Sequence, residues 1–262
     1  MEPLPLPQML KPLEQMDLAC RQPWVYLVTE KEPEIEFRRV PSDPGGQDID
    51  YIAQREACWA SECARLGKNL WNGVVYSTES IHWENTRLIV ELGLVEYKDI
   101  VFKRVRGAET IADTFSPAAV KRHMFTAVMP VDAEGKVLLG RVGALSIQDP
   151  GLLDLVGGSL NTSELDLQTL DSIREFSTLE FVQETGVSLA PKDLRLWSIN
   201  HDGDCVFFVF KVAYDLQRLS DGFISNGELT ELVALDLHAE IAASQRVSKD
   251  VLFLKSYLHL AG

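Results

Sequence analysis

The chain has 262 residues, 46% of them hydrophobic, and a formal net charge of -14. This length and apolar content allow a sizeable core and favour one large domain or two modest ones. The acidic balance argues against a nucleic-acid partner or an anionic membrane surface, and no apolar run approaches the ~20 residues that span a membrane. A small phosphorylated ligand is still compatible with this charge, because a metal ion can supply positive charge locally.

The four cysteines, Cys20, Cys58, Cys63 and Cys205, include no Cys-x-x-Cys pair, which argues against a zinc site. Cys58 and Cys63 fall in a predicted helix, where they serve as small apolar residues. The absence of a secretory signal pattern predicts a cytoplasmic, reducing location.

Residues 1–117 predict a smaller N-terminal α+β domain. β-branched and aromatic residues indicate its strands, and turn residues and a terminal glycine mark the breaks. In chain order, the predicted elements are an irregular proline-rich arm at 1–22, strands at 24–29 and 35–40, a turn at 42–46, a helix at 48–66 that ends at Gly67, strands at 74–77 and 86–92, a short helix at 97–106 and a polar stretch at 107–118.

Residues 118–262 show a clearer alternation of strands and helices. This order predicts an α/β (α+β) fold, a mixed-sheet sandwich flanked by helices. The predicted elements are strands at 124–131 and 136–142 around a hairpin turn at 132–135, a strand at 152–156 before Gly157 and Gly158, a helix at 170–185 stopped by Gly186, strands at 194–199 and 205–214 around a turn at 201–204, and helices at 228–243 and 248–260, the last with Ser248 as its N-cap.

Two acids of the predicted helix at 170–185 carry the chemistry. Glu180 and Glu184 are four residues apart, so their carboxylates share one helix face and repel each other by a few tenths of a kcal/mol. A Mg²⁺ ion, which binds carboxylate and phosphate oxygens, would relieve that repulsion. A bare Glu-x-x-x-Glu is more often a solvated acidic face, so the surrounding residues decide between the two interpretations.

A longer pattern surrounds these two glutamates. Gly158 is followed by five residues and then Glu164, and residues 180–187 read Glu-Phe-Val-Gln-Glu-Thr-Gly-Val. The pattern resembles the Nudix box, Gly-x5-Glu-x7-Arg-Glu-U-x-Glu-Glu-x-Gly-U, in which U is a bulky aliphatic residue. The resemblance implies a Nudix-type fold in residues 118–262, with Glu180 and Glu184 as both metal ligands and catalytic residues.

The box is degenerate at three places. Fourteen residues, 165–178, stand where the box has seven, Leu179 replaces the arginine, and Gln183 replaces the first acid of the Glu-Glu pair. A register with the arginine-glutamate step at 174–175 fails, because a threonine and a leucine then occupy the positions of the acids. In Nudix enzymes the arginine orients the catalytic carboxylates, so the resemblance implies weaker metal binding or fewer ions here. It also implies that Glu164 is more structural than catalytic.

Two shorter segments give a narrower resemblance. Residues 70–73 (Leu-Trp-Asn-Gly) and 91–99 (Glu-Leu-Gly-Leu-Val-Glu-Tyr-Lys-Asp) are similar to segments of a divergent Nudix branch that hydrolyses UDP-glucose and UDP-galactose to UMP and a sugar 1-phosphate. That branch has an N-terminal domain and a lengthened box, and the resemblance covers most of residues 70–240. It implies a Mg²⁺-dependent nucleotide-sugar diphosphatase whose N-terminal half covers the substrate pocket.

Two other functions stay open at this point. The degenerate box also suits a non-catalytic nucleotide-binding or regulatory module, and the fold suits a Nudix hydrolase of ADP-ribose or a CoA derivative. In each case the expected partner is a small nucleotide diphosphate derivative, and a homodimer is left open.

Four further sets of side chains could belong to the site, although a structural role is the commoner explanation for each of them. They are Trp71, Tyr76 and Trp83 as base-stacking aromatics, His201, Asp202 and Asp204 in one turn, Glu228 and Glu231 as an extra ligand or base, and Arg141 and Arg195 as phosphate contacts.

Overall fold

The computed structural model describes residues 24–28, 31–41, 48–67, 70–147, 149–202, 205–242 and 244–258. Within these ranges, strands form one large mixed sheet and helices pack against it, which confirms the predicted α+β class. The predicted arm, the turn at 42–46, Cys20 and Asp204 lie outside the described residues. None of the helices in the described ranges has the length and apolar content to cross a lipid bilayer.

The elements of the described residues are eleven strands and six α-helices. The strands are β1 (Trp24–Leu27), β2 (Glu34–Arg39), β3 (Val74–Glu84), β4 (Arg87–Glu96), β5 (His123–Val131), β6 (Val137–Val142), β7 (Leu153–Asp154), β8 (Val156–Ser159), β9 (Arg195–His201), β10 (Cys205–Ala213) and β11 (Leu229–Leu235). The helices are α1 (Ile49–Leu66), α2 (Tyr97–Arg106), α3 (Ala108–Thr114), α4 (Leu170–Thr185), α5 (Leu216–Asp221) and α6 (Lys249–Leu258).

The main path of the sheet runs β1-β9-β10-β5-β3-β4-β2. β5 and β10 are parallel along their full length, whereas β1 and β9 pair antiparallel, so a strand near residue 25 is joined to one near residue 200. β8 pairs with β5, and β6 links β5, β7 and β11. β3 meets β5 through the pair Ser77–His123, so hydrogen bonding crosses the predicted domain boundary, and the division itself stays a prediction.

Both faces of this sheet are covered by apolar side chains. Along β10, Phe208 faces one core and Phe207 faces the other, as expected from the alternation of side chains in a strand. α4 adds Phe181 to the first core and α6 adds Val251 to the second, and all four side chains are fully buried. Strands buried on both faces need a nearly continuous apolar sequence, which explains the runs in β5 and β10.

The caps of α4 fix its position along the chain. Thr169 Oγ1 accepts a hydrogen bond from Ser172 N, and Ser172 Oγ accepts one from Thr169 N, a reciprocal capping box. Gly186 ends the helix with a φ of 74°, which glycine adopts without strain. The predicted helix at 170–185 is therefore confirmed at both ends. The predicted N-cap of α6 is also confirmed, because Ser248 Oγ accepts a hydrogen bond from Val251 N at 3.2 Å.

The helix predicted at 228–243 is wrong. Leu229–Leu235 forms strand β11, antiparallel to β6 from Leu229–Val142 to Leu235–Val137, and residues 236–242 form turns and irregular chain. Leu229 lies directly over Gly140, where an added Cβ would be 2.6 Å from the leucine side chain. The open edge of β6 and this contact outweigh the helix propensity of the segment, as tertiary contacts often do.

Two predicted segments have more regular structure than the sequence indicated. The stretch at 107–118, predicted only as polar, contains α3 and the start of a 3₁₀ turn at Pro117–Ala119. The strands predicted at 74–77 and 86–92 are parts of a longer hairpin, β3–β4, which turns at Asn85 with a φ of 57°. Asparagine tolerates this left-handed conformation better than most residues, which permits the tight turn.

Tyr76 of β3 provides a test of how β3 is joined to the segment before α4. Its buried hydroxyl donates to Leu165 O at 3.0 Å and accepts from Leu167 N at 3.1 Å. We expect Tyr76→Phe to lower the free energy of unfolding by about 1–3 kcal/mol, because buried polar groups lose their partner. Urea denaturation measures this, with Tyr97→Phe on a half-buried tyrosine as control. Equal stability of the two variants would contradict the role of the hydroxyl.

Candidate active site

The floor of the candidate site is β8, a strand without side chains at its centre. Gly157 and Gly158 pair with Ala127 and Thr126 of β5. A Cβ on Gly157 would lie 2.0 Å from Thr126 O, and a Cβ on Gly158 would lie 1.9 Å from Glu180 Oε2. The double glycine is therefore required by the close approach of β5 on one side and α4 on the other.

Glu180 and Glu184 lie above this floor on one face of α4, as their spacing predicts. Glu184 is 9% exposed, and one of its carboxylate oxygens accepts a hydrogen bond from Gly157 N at 3.1 Å. Glu180 is half-buried against Gly158. Phe181, the next residue after Glu180, is fully buried in the first core, and this packing holds α4 in place beside β8.

The two carboxyls are electrostatically uncompensated. Burial, followed by the negative charges of Glu164 and Glu228, raises the pKa of Glu180 to about 7. Burial, followed by Glu228 and Glu180, raises the pKa of Glu184 well above its usual range, although the hydrogen bond from Gly157 opposes this shift. Every charged neighbour that shifts these two pKa values is a carboxylate, Asp154 included. The site therefore concentrates negative charge in a poorly solvated place.

Glu228 and Glu231, predicted together as an extra ligand or base, have different surroundings. Glu228 lies in the loop before β11, close enough to Glu180 and Glu184 to raise the pKa of both. Glu231 lies within β11 and forms an ion pair with Arg141 of β6. Arg141 also donates to Gly151 O at 3.0 Å, so it is engaged in holding the strands. Of these two acids, Glu228 is the one whose charge acts on the carboxylate pair.

The degenerate positions of the box also have clear environments. Glu164 accepts a hydrogen bond from Asn161 Nδ2 at 2.8 Å, and Gln183 Nε2 lies 3.5 Å from its other carboxylate oxygen. Leu179, which stands at the position of the box arginine, is 41% exposed. Gln183 thus contacts the first acid of the box, and no positive charge stands at 179. Asn161 was missed by the sequence analysis, because its role depends on the turn that places it beside Glu164.

The aromatic candidates do not converge on these acids. Tyr76 is buried and its hydroxyl is used within the fold, so it cannot stack on a base. Trp83 lies against Tyr26, with ring centroids 5.5 Å apart, and lines a cavity of about 1040 Å³ at the N-terminal end of α4. Arg195 lines the same cavity, at the end of the helix opposite to Glu184. Trp71 is 51% exposed and its ring lies 5.7 Å from that of Tyr97.

The candidates in the predicted turn at 201–204 belong to another part of the molecule. His201 is fully buried and its ring stacks on Trp24 at 5.8 Å. Asp202 accepts hydrogen bonds from Cys205 N at 2.9 Å and pairs with Lys249 Nζ at 2.9 Å. These contacts join β9, β10 and α6, which is the structural explanation of the turn.

The donor set suits a hard divalent cation that is shared with a substrate. No group of three or more His, Cys, Asp or Glu side chains in the described ranges is arranged as a complete metal site. Mg²⁺ needs fewer protein ligands, because it binds one or two carboxylates and completes its shell with water and phosphate oxygens. Glu180 and Glu184 supply such carboxylates, and the negative end of the α4 dipole beside Glu184 also favours a cation. The residues present therefore fit Mg²⁺ bound through this pair.

Comparison with known proteins gives matches among solved structures alone. No family model matches the chain, and no curated protein matches it. A MutT/nudix family protein from Enterococcus faecalis is 14% identical over 53% of this chain and 62% of its own, with a TM-score of 0.38. A NUDIX hydrolase from Nitrosomonas europaea is 20% identical over 53% and 90%, with a TM-score of 0.38. A bifunctional NMN adenylyltransferase/ADP ribose pyrophosphatase from Francisella tularensis, solved with AMP and a manganese ion, is 13% identical over 54% and 42%, with a TM-score of 0.40. The chain thus matches less than two thirds of the Enterococcus protein.

The raised pKa of Glu180 predicts a pH-dependent stability. The pKa of Glu180 is about 7 in the folded chain and 4.5 in the unfolded chain. Because the folded chain holds this proton more tightly, it loses stability as the pH rises from 4.5 to 7. We expect metal-free Glu180→Gln to exceed the wild type in free energy of unfolding by about 3 kcal/mol at pH 8 and by much less at pH 5. Denaturation in EDTA at both pH values tests this. Glu175→Gln, at an exposed position of the same helix, is the control. If Glu180→Gln and the wild type differed in free energy of unfolding by the same amount at both pH values, the prediction would be wrong.

Proposed function

We propose that this chain is a Nudix-type, divalent-metal-dependent hydrolase that cleaves the phosphoanhydride of a nucleotide diphosphate derivative. One observation carries the proposal: Glu180 and Glu184 share one face of α4 against the two glycines of β8, and the charges that raise the pKa of both carboxyls, Glu228 among them, are all carboxylates.

Each residue of the site would have a separate role in such a reaction. When bound, Mg²⁺ would neutralise the diphosphate and lower the pKa of a nucleophilic water. Glu180 and Glu184 would hold the ion, and Glu228 would accept the proton of that water. The glycines of β8 leave room for a phosphate group against the backbone and keep competing side chains away from the carboxylates.

A uridine diphosphate sugar, UDP-glucose or UDP-galactose, is the substrate that we propose first. The two segments that carry this resemblance lie against each other: Asn72 Oδ1 accepts from Lys98 N at 3.0 Å, and Tyr97 N donates to Gly73 O at 2.9 Å. The next residue, Val74, accepts a hydrogen bond at its carbonyl from Thr162 N at 2.9 Å, beside the Glu164 loop. These contacts support an N-terminal half that forms a wall of the site. The cytoplasmic location and a homodimer stay predictions.

A nucleotide-binding module without catalysis is the second candidate. Two observations favour it: the exposed Leu179 cannot orient a carboxylate, and Gln183 contributes no charge. Such a module would bind the nucleotide sugar at the same acidic site and release no product. The presence or absence of turnover separates the two functions.

The substrate class can be tested with a hydrolysis panel of UDP-glucose, UDP-galactose, ADP-ribose, NADH and CoA, each with Mg²⁺ and with EDTA. We expect UMP from the two UDP-sugars and no product in EDTA, because the acids need a cation to accept a diphosphate. Turnover of ADP-ribose or CoA instead would reassign the substrate. If UDP-glucose raised the melting temperature without any turnover, the binding module would replace the enzyme.

The carboxylate pair can be tested by isosteric substitution. We expect Glu180→Gln and Glu184→Gln each to reduce kcat/KM roughly a hundredfold or more, which corresponds to about 2.7 kcal/mol of barrier. The amide oxygen at 184 can still accept the hydrogen bond from Gly157 N, so the fold should persist. The measurement is steady-state hydrolysis of the best panel substrate, with Glu175→Gln as the matched control. Full activity of Glu184→Gln would overturn the assignment of the site.

A further inference from the structure

The side chain of Asn226 joins the loop before β11 to the last turn of α4. Its Nδ2 donates to Gln183 O at 3.0 Å, and its Oδ1 accepts from Glu228 N at 2.9 Å. The second hydrogen bond closes a local turn that asparagine commonly forms. The first is different, because it spans 43 positions of the chain and ends on the residue before Glu184. One side chain therefore connects the backbone of Glu228 to the helix that carries the carboxylate pair.

Other contacts hold the loop from its remaining sides. Gly143 N donates to Glu228 O at 2.7 Å, and Ile224 N donates to Thr185 O at 2.8 Å. A Cβ on Gly143 would lie 2.3 Å from Gly227 O, so the two loops are in close contact. The carbonyl of Glu228 is thus fixed by Gly143, and the amide of Glu228 is fixed by Asn226.

We infer that Asn226 is a positioning residue, which holds the loop to α4 so that the Glu228 carboxylate faces Glu180 and Glu184. Gly227, which lies between Asn226 and Glu228, has a φ of 93°, and both of these neighbours are exposed. Without the bridge to Gln183 O, this segment is held on the α4 side by the backbone bond at Ile224 and by the Ile224 side chain, which lies against Gly186. The inference rests on the proposed function, because it assigns Asn226 to the same acidic site.

The test is a double-mutant cycle that uses Mn²⁺ alone as the probe. Calorimetry gives the Mn²⁺ dissociation constant for the wild type, Asn226→Ala, Glu228→Gln and the double variant, and melting temperatures report the fold. Asn226→Ser separates the two hydrogen bonds, since a serine hydroxyl can accept from Glu228 N but is too short to reach Gln183 O. Gln217→Ala is the control, because Gln217 is also an exposed side-chain amide that donates to an oxygen, Asp221 Oδ1 at 2.7 Å, and it lies on α5, outside the acidic site.

We expect Asn226→Ala and Asn226→Ser each to weaken Mn²⁺ binding by about tenfold, as for other residues that orient ligands. Asn226→Ala should add no more than about a twofold loss to Glu228→Gln, because both changes act on one carboxylate. Gln217→Ala should leave the affinity unchanged.

The possible contrary results distinguish the positioning role of Asn226 from the proposed metal site. Additive effects of Asn226→Ala and Glu228→Gln, or wild-type affinity in Asn226→Ser, would refute the positioning role while leaving the proposed metal site intact. Absence of Mn²⁺ binding in the wild type would overturn the proposed function and the positioning role together.

Discussion

The close contact of β8 with β5 and α4 is the constraint on which the candidate site depends. Gly157 pairs with β5 so tightly that a methyl group would collide with the Thr126 carbonyl, and Gly158 leaves just enough space for the Glu180 carboxylate. Phe181 is fully buried in the first core and anchors α4, so the helix cannot move away to relieve the buried Glu184 and the half-buried Glu180. Burying carboxylates is unfavourable unless they are paired or bind a cation, and the apolar core offsets that cost in the metal-free chain.

The sequence alone predicted the parts of the site that depend on local geometry. The end of helix α4 followed from Gly186, and the helical period put Glu180 and Glu184 on one face. The strand at 152–156 was predicted to stop before Gly157 and Gly158, whereas both glycines lie within β8, where they let β5 and α4 approach one strand. Local rules were sufficient here because helix caps and side-chain periodicity involve residues that are close in sequence.

The remaining features depend on contacts between distant segments. β11 was predicted as helix because its pattern of Leu, Thr, Glu and Val does not alternate clearly, and the free edge of β6 decided its conformation. Glu228 and Glu231 looked equivalent in sequence, and the pairing of β11 with β6 directs Glu231 to Arg141. Asn226 gave no signal beyond that of an ordinary turn residue, because its partner on α4 is far away along the chain.

The pairing of β1 with β9 has a consequence for how the chain is made. β2 can join β4 after about a third of the chain has been synthesised, whereas β1 has no partner until β9 leaves the ribosome. Pairings over such long separations form slowly, and an unpaired strand edge can associate with other polypeptides in the meantime. Nascent chains that stall before β9 would therefore expose Trp24–Leu27, and chaperones would be expected to recognise that strand first.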